Sequence, residues 1–386
     1  MLRKYLLILC FAAFAAAPAA AQSVGLTLSG GGAKGLYHIG VIQALEENDI
    51  PIDYVSGTSM GSIVAGLYAA GYSPEEMRAI AESGEVVRWV TGKIGPEFES
   101  FYRQMRLNAA WVTLHLNVRD RRPEFRLPSA LISSSQVDWA LAGLFSSADV
   151  ASGGDFDSLM VPFRCVAADM AARQPVVMTR GRLGEAIRAS MSIPLAFKPV
   201  KKDDMLLYDG GIYDNFPWKP LDAAFRPDFI LGSICTSGNT PPDAESSVMD
   251  QAFMLVMNDT DYTLPAGRSV TVRRAVPVGM LDFERAGEII EWGYADAMEA
   301  MDSIKSRITA RRSREQVAER RRAFRQRAPQ FVIDRYEVTG LSDAQTAYVH
   351  DFIDSHRHRR PADEPEGGMP FDTFSDNYLC LLADGA

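Results

Sequence analysis

The sequence has few of the residues that build metal centres, disulfide frameworks and nucleic-acid surfaces. Its 386 residues include only four Cys and five His, without the spacing of a zinc site or a disulfide-rich fold. Beyond residue 21 there are 38 basic residues against 49 acidic ones, a net charge of −11 that argues against nucleic-acid binding. After that point no run is apolar enough for a transmembrane helix. We therefore expect no metal, and we expect Cys165 and Cys235, which lie in apolar runs, to be buried thiols.

The only long apolar run comes at the start of the chain. Arg3 and Lys4 precede an apolar segment from Tyr5 to Ala17, and Ala19-Ala20-Ala21 follows as an A-x-A cleavage pattern. This order is typical of a secretory signal peptide. We therefore predict that residues 1–21 direct export and that the mature chain begins near Gln22.

A G-x-S-x-G motif gives the first indication of chemistry. Gly57-Thr58-Ser59-Met60-Gly61 follows an apolar run at 52–55 and precedes a helix-forming run at 63–70. Strand, sharp turn and helix are the context of a nucleophile elbow, in which the serine hydroxyl is exposed at the end of a sheet. The pentapeptide alone is a weak signal, and a plain turn remains open at this point.

A glycine run follows the first predicted strand, at 24–29. Gly30, Gly31, Gly32, Ala33, Lys34 and Gly35 lead into a helix predicted from 36 to 48. A dinucleotide site is disfavoured because no acidic residue ends the next strand, and a Walker loop is excluded because Lys34 precedes its glycine. A row of free amides at a helix start can bind an anion. Beside a serine nucleophile it would serve as an oxyanion hole.

The remaining pattern alternates strands and helices. We predict strands at 161–168, 175–179, 206–208 and 229–234, a helix at 183–191, and a helix begun by a capping box of Ser73 and Glu76. Asp209-Gly210-Gly211 follows one strand directly. Polar turns at the carboxyl ends of strands indicate a doubly wound, mostly parallel sheet.

A histidine base is not favoured by this pattern. His38 lies within the helix after the glycine run, His115 lies in an irregular region, and the other three histidines are near the C-terminus. None follows a late core strand, where an α/β-hydrolase carries its catalytic histidine. We expect Asp169 and Asp214, which end strands, to cap turns.

Three motifs in register resemble those of patatin-like phospholipases: Gly30–Gly35, Gly57–Gly61 and Asp209–Gly211. The turns Ala189–Pro194 and Asp214–Pro217 are also similar to the family's. The resemblance implies a three-layer α/β/α fold and a Ser-Asp dyad, with Ser59 as nucleophile and Asp209 as base. It also implies an oxyanion hole around Gly31, Gly32 and Ala33, supported by the motif glycines Gly57, Gly61, Gly210 and Gly211.

We divide the chain into a signal peptide at 1–21, a hydrolase domain at 22–300, a basic helical linker at 301–329 and a small α+β unit at 330–386. The last begins with a predicted strand at 331–338, followed by helices at 342–353 and 371–382. It resembles the start of a POTRA domain, without its closing strands. We expect no barrel in this chain, although a longer native chain would allow outer-membrane association. Residues 92–135 are irregular, and their role as a lid stays open.

The expected function is an exported serine acyl hydrolase of membrane phospholipids, needing no cofactor. Its location would be the periplasm or outer membrane of a Gram-negative bacterium, with peripheral membrane contact as an open alternative. A lysophospholipase, a thioesterase or a general lipid acyl hydrolase is the alternative within the same chemistry. An outer-membrane assembly module with a minor lipase role is the alternative from a different class.

Overall fold

The computed structural model describes residues 22–95, 98, 116–119, 122–125, 130–239, 251, 255–328, 331–357 and 369–383. The predicted signal peptide and most of the 92–135 segment, with His115, lie outside these residues.

The strands form one large sheet and two small ones. Their bounds are β1 Val24–Leu28, β2 Tyr54–Thr58, β3 Leu116–Arg119, β4 Arg122–Phe125, β5 Phe163–Asp169, β6 Gln174–Met178, β7 Val200–Lys202, β8 Met205–Asp209, β9 Phe229–Ile234, β10 Ser269–Arg273, β11 Val332–Ile333 and β12 Met369–Pro370.

The helices connect and cover these strands. Their bounds are α1 Tyr37–Glu47, α2 Met60–Ala69, α3 Pro74–Glu82, α4 Glu85–Thr91, α5 Ser135–Ser152, α6 Leu183–Ser190, α7 Trp218–Phe225, α8 Ala286–Glu299, α9 Met301–Arg307, α10 Arg314–Arg325, α11 Asp343–Arg357 and α12 Phe371–Ala383. Short 3₁₀ helices lie at Gly32–Leu36 and Gly210–Ile212.

The fold is patatin-like, with a mostly parallel central sheet and flanking helices. The strand order is β10-β9-β1-β2-β5-β8-β7, and β6 also pairs with β5. The first five are parallel, whereas β6, β7 and β8 are antiparallel to their neighbours. Every residue of β1, β5 and β9 is buried, as expected for parallel strands covered on both faces. Because α2 packs on β2 and β5 while α7 packs on β1 and β2, the arrangement agrees with three layers.

Several local predictions are confirmed. Ser73 Oγ accepts the Glu76 amide and the Glu76 carboxylate accepts the Ser73 amide, which is the predicted capping box. Cys165 and Cys235 are buried free thiols.

The segment predicted as a linker at 301–329 contains α9 and α10, whose residues Met301, Ile304 and Phe324 belong to the main hydrophobic core.

The predicted strand at 331–338 is wrong in its extent. Only Val332 and Ile333 pair, with Pro370 and Met369 of β12. The partner strand has two residues, and Pro370 has no amide hydrogen to donate. Among the described residues, 334–338 pair with no partner and do not form a strand.

The C-terminal unit of β11, β12, α11 and α12 has a small core of its own, formed by Val349, Ile353, Met369 and Leu381. It contacts the large domain through Trp139 of α5. The Trp139 ring stacks on Phe371 and Tyr378 at centroid distances of 4.9 and 4.6 Å, and its Nε1 donates to Ser375 Oγ at 2.6 Å.

Within the described residues, no helix combines the length and the apolar character needed to cross a bilayer.

Candidate active site

Ser59 lies at a strained turn between β2 and α2. Its backbone has φ +54° and ψ −126°, a left-handed conformation that costs free energy for any residue except glycine. The flanking glycines are required by close approach. A Cβ on Gly57 would lie 2.2 Å from Gly61 O, and a Cβ on Gly61 would lie 2.5 Å from Ser29 O. Backbone atoms therefore leave no room for a side chain at either glycine that flanks the serine.

Asp209 reaches Ser59 because two strands share one edge of β5. Thr58, the last residue of β2, pairs with Val166, and Asp209, the last residue of β8, pairs with Ala167. β6 occupies the opposite edge of β5 along the same residues. The carboxylate thus lies beside the residue that follows Thr58, although 150 residues separate Ser59 from Asp209.

The two side chains are in hydrogen-bond contact. Ser59 Oγ donates to Asp209 Oδ2 at 2.7 Å, and the Gly211 amide donates to Oδ1 at 2.8 Å. Asp209 is fully buried and Ser59 is 6% exposed. Burial raises the pKa of Asp209 to about 7, and the hydrogen bonds from Ser59 and Gly211 oppose that rise. A carboxylate with this pKa can accept a proton near neutrality.

The glycine run lies next to Ser59, since a Cβ on Gly30 would be 3.0 Å from Ser59 Cβ. The Gly30 amide donates to Asn215 O at 3.0 Å, and the Ala33 amide donates to Met280 O at 2.8 Å. Those two amides are therefore already used. Lys34 and Gly35 lie within the 3₁₀ helix. Within the described part of the chain the Gly31 and Gly32 amides form no hydrogen bond, so they are the donors of the run that can receive an anion.

His38 is directed away from the serine and into a hydrogen-bonded core. Its Nε2 lies 2.9 Å from Ser29 O and its Nδ1 lies 2.7 Å from Ser233 Oγ. A carbonyl oxygen only accepts, so Nε2 carries the hydrogen and Nδ1 accepts from the hydroxyl. Burial lowers the pKa of His38 to about 4, and the hydrogen bond to Ser29 O opposes that change. His38 is thus neutral, and both of its ring nitrogens are engaged.

The two other aspartates at strand ends have hydrogen bonds typical of turns. Asp169 Oδ1 accepts the amides of Ala171 and Ala172. Asp214 Oδ1 accepts the Phe216 amide, and burial raises the pKa of Asp214 to about 6. These contacts agree with the predicted capping role. His350 lies in the C-terminal unit, where its Nδ1 is 3.1 Å from Tyr336 Oη.

Three residues that support the site had no assigned role in the sequence. Ser190 Oγ accepts the Ser59 amide at 3.0 Å, and the Asn215 and Met280 carbonyls accept amides of the glycine run. Ser190 and Asn215 lie in the two turns that resemble those of the patatin-like family, so that likeness was the available signal. For Met280 the sequence has no such signal.

An apolar cavity of about 50 Å³ begins beside the elbow. It is lined by Met60, which follows Ser59 in the chain, by Leu36 and Met191, and by residues of α3, α4 and α5 that include Trp89. Methionine side chains repack readily. The cavity can therefore widen without movement of the backbone.

Fold and site together define a patatin-like α/β protein with a buried serine–aspartate pair. The sequence model described as patatin-like phospholipase matches residues 26–86 and 170–222. An uncharacterised NTE family protein of Mycobacterium tuberculosis is 30% identical over 254 residues, which are 65% of this chain and 60% of the relative. Over these segments the chain is similar to the patatin-like phospholipase family.

Two further proteins are similar to parts of this chain. The lysophospholipase NTE1 of Eremothecium gossypii is 27% identical over 61% of this chain and 13% of its own length. The match thus spans 60% of the length of the mycobacterial relative and 13% of the length of the lysophospholipase. Among solved structures, VipD from Legionella pneumophila has a TM-score of 0.42 and 12% identity, covering 94% of this chain and 85% of its own.

Proposed function

We propose that this chain is an exported serine acyl hydrolase that cleaves ester bonds of membrane phospholipids. The observation that carries the proposal is the hydrogen bond from Ser59 Oγ to a fully buried Asp209 carboxylate at 2.7 Å. A nucleophile, a base and free amides for an oxyanion lie together at the carboxyl ends of β1, β2 and β8, which meets the requirement for acyl transfer.

Asp209 accepts the hydroxyl proton in the first step. An exposed aspartate, with a pKa of about 3.9, is a weak base for a serine hydroxyl. Burial raises the pKa of Asp209 to about 7, and the proton then moves to Oδ2 as Ser59 Oγ bonds to the ester carbonyl carbon. The Gly211 amide keeps Oδ1 in place, so the accepting oxygen stays directed at the serine.

The amides of Gly31 and Gly32 stabilise the negative charge that develops on the carbonyl oxygen. Such donors are effective because they are fixed before the reaction begins. The hydrogen bond from Ala33 to Met280 O and that from Gly30 to Asn215 O fix the run at both ends. The intermediate then collapses, and the leaving alcohol takes the proton from Asp209.

Water completes the cycle through the same groups. Asp209 accepts a proton from water while the water oxygen bonds to the acyl carbon of the acyl-enzyme. Collapse of the second intermediate breaks the bond to Ser59 Oγ, which recovers a proton from Asp209. The products are the free acid and the alcohol.

An acyl chain as the substrate's apolar part is supported by the cavity beside the elbow, which Met60 and Met191 line. The similarity to a relative named as a lysophospholipase makes single-chain phospholipids the alternative substrate. Export to the periplasm or outer membrane is part of the proposal and is supported by the basic, apolar and A-x-A segments within residues 1–21.

The test compares Ser59→Ala with wild type on diacyl phospholipid vesicles and on lysophospholipid micelles, with released fatty acid as the readout. We expect the variant to lose at least roughly a thousandfold in turnover. Ser83→Ala, which removes an exposed hydroxyl that donates to Ile80 O and accepts the Glu85 amide, is the matched control and should keep full activity. Hydrolysis by Ser59→Ala at the wild-type rate, or no ester hydrolysis by wild type, would disprove the proposal.

A further inference from the structure

A second cavity lies at the edge of the sheet opposite Ser59. It has a volume of about 350 Å³. Its walls come from residues just before or at the start of β1, β2 and β5, from the loop after α9, and from α10. The lining residues are Gln22, Ser23, Pro51, Asp53, Tyr54, Pro162, Ala310, Arg311, Arg312 and Arg320. Tyr54 begins β2 and Ser59 follows its end, so the cavity is roughly 15 Å from the nucleophile at about 3.3 Å per residue. It is therefore not part of the ester-binding site.

The charges that line this arginine cavity do not balance. Three arginines are present with a single carboxylate, Asp53. Arg312 Nη2 lies 2.7 Å from Asp53 Oδ1, and Asp53 Oδ2 accepts the Val24 amide at 2.9 Å. The one acidic group is therefore already used by Arg312 and by the backbone.

Within the part of the chain that the structure describes, the partners of Arg311 are neutral. Its guanidinium donates to the carbonyl oxygens of Ala310 at 2.7 Å and Lys305 at 3.3 Å, and also to Ile308 O. These bonds fix the loop after α9, but they do not neutralise the positive charge. Arg311 thus contributes a fixed positive potential to the cavity.

The guanidinium N–H groups of Arg320 have no hydrogen-bond acceptor among the described residues, and the guanidinium forms no ion pair with them. The charged cavity residues that act on it electrostatically are Arg312 and Asp53. Burial, followed by the positive charge of Arg312, lowers the pKa of Arg320. A half-buried guanidinium beside another cation is unfavourable unless an anion compensates it.

We propose that the arginine cavity binds a phosphate group, with Arg320 as the principal ligand and Arg312 as the second. The planar guanidinium matches two phosphate oxygens in a bidentate contact, and the cavity has room for the alcohol to which the phosphate is esterified. Stacking of Tyr54 on Phe225 at 4.6 Å fixes one wall. The ligand is thus a phosphomonoester in solution or the phosphodiester of a lipid headgroup.

The two sources are separated by two probes. Binding of glycerol 3-phosphate is measured by titration calorimetry, and sedimentation is measured with vesicles of ether-linked phosphatidylglycerol, which the esterase chemistry cannot cleave. Vesicles of ether-linked phosphatidylcholine, whose net charge is zero, are the reference. Binding of the first probe alone indicates a soluble phosphate ester. Preference for phosphatidylglycerol vesicles indicates a headgroup.

Arg320→Gln is the test variant, and Arg322→Gln is its matched control because Arg322 lies on the same helix, is exposed and does not line the cavity. We expect wild type and Arg322→Gln to bind alike, and Arg320→Gln to bind at least about tenfold more weakly, since a charged hydrogen bond is worth about 1.5–3 kcal/mol. Hydrolysis of a short soluble ester should be unchanged in both variants.

The proposal is overturned if wild type binds neither probe or if Arg320→Gln binds as tightly as wild type. If Arg320→Gln fails to fold by circular dichroism, Arg320→Lys decides the question. Lysine keeps the charge but cannot make the bidentate contact, so weaker binding supports the proposal and undiminished binding refutes it.

Discussion

Asp209 is the residue at which catalytic need and stability oppose each other. Among the described residues this buried carboxylate accepts two hydrogen bonds, from Ser59 and Gly211, and its ionised form is disfavoured by desolvation. Because the folded-state pKa is raised to about 7, the folded state binds the proton more tightly than the unfolded state does. The free energy of unfolding therefore falls as pH rises from about 4 to about 7.

Replacing Asp209 by Asn should separate the two effects. The amide can still accept the Gly211 hydrogen and donate to Ser59 Oγ, but it cannot take a proton. We expect ester turnover to fall by at least roughly a thousandfold, while the free energy of unfolding at pH 8 rises by an amount on the order of 1–3 kcal/mol because a buried charge is removed. Asp204→Asn, at an exposed turn, is the control for both measurements. A variant that is inactive and less stable than wild type would show that Asp209 has mainly a structural role.

The pH dependence of kcat/KM on a soluble ester should reflect the same group. Asp209 acts only when ionised, so activity should be low at pH 5 and rise to a plateau with a midpoint near 7. His38, whose pKa is lowered to about 4, is neutral over this range and should not contribute a step.

His38→Gln tests that assignment. The midpoint of the pH profile does not depend on how much variant folds, so it should stay near 7 even if the rate falls. A midpoint that moves or disappears in His38→Gln would assign the titration to the histidine instead.

At the residue scale, the sequence identified the candidate catalytic residues but did not show which backbone amides are free to donate a hydrogen bond to an anion. The motifs selected Ser59, Asp209 and the glycine run as candidates, and in the structure they are neighbours at the carboxyl ends of β1, β2 and β8. The use of the Ala33 amide by Met280 O could not be predicted, because it depends on a contact between residues far apart in the chain. The same holds for Ser190, whose hydroxyl accepts the Ser59 amide.

The elbow is an element whose backbone leaves no space for side chains beside the serine. A Cβ on Gly61 would lie 2.5 and 2.6 Å from the carbonyl oxygens of Ser29 and Leu28. Those oxygens belong to β1 and the residue after it, so neither can move without disturbing the sheet and the glycine run.

Gly61→Ala should therefore destabilise the fold by roughly 1–3 kcal/mol, the usual cost of overpacking, and should reduce turnover further by displacing the glycine run. Urea unfolding and ester hydrolysis measure the two effects. Gly287→Ala is the control, because its new methyl group would meet only the end of the Glu82 side chain, at 3.0 Å. Equal stability of the two variants would show that the elbow has more room than its carbonyl oxygens indicate.

Element positions were largely predictable because hydrophobic periodicity and caps are local signals. The predicted strand at 229–234 coincides with β9, and the last helix, predicted at 371–382, coincides with α12 to one residue. Which strands pair with each other, and in which direction, could not be predicted from such local signals. The antiparallel β6, β7 and β8, and the two-residue β11, depend on which partner each strand meets.

On the scale of the whole molecule, the C-terminal unit packs against α5 of the hydrolase domain, where Gly143 lies against the Phe371 ring and Trp139 makes the largest side-chain contact. Trp139 of α5 stacks on Phe371 and Tyr378 and donates to Ser375. The unit's own core is small, and few buried contacts give low resistance to local opening. Its attachment should therefore depend strongly on this side chain.

Trp139→Ala should increase amide hydrogen exchange in α12 by about tenfold or more, since an aromatic truncation of this kind removes several kcal/mol of packing. Trp139→Phe keeps an aromatic ring but loses the Nε1 hydrogen bond, and should lie between the variant and wild type. Exchange in β1 and β9 should be unchanged in both. Equal exchange of α12 in all three proteins would show that other contacts attach the unit.

The pairing of β2 and β8 with adjacent residues of β5 has a consequence for how proteins of this design can diverge. Serine and aspartate are aligned by the backbone register of a third strand. From the chain between them, the turn that begins at the end of α6 adds two contacts, because Ser190 Oγ accepts the Ser59 amide and Ser192 O accepts the Asp209 amide. Insertions and deletions in intervening loops other than this turn should therefore leave the reacting groups in place. Loop length is thus free to change with the substrate while the chemistry stays the same.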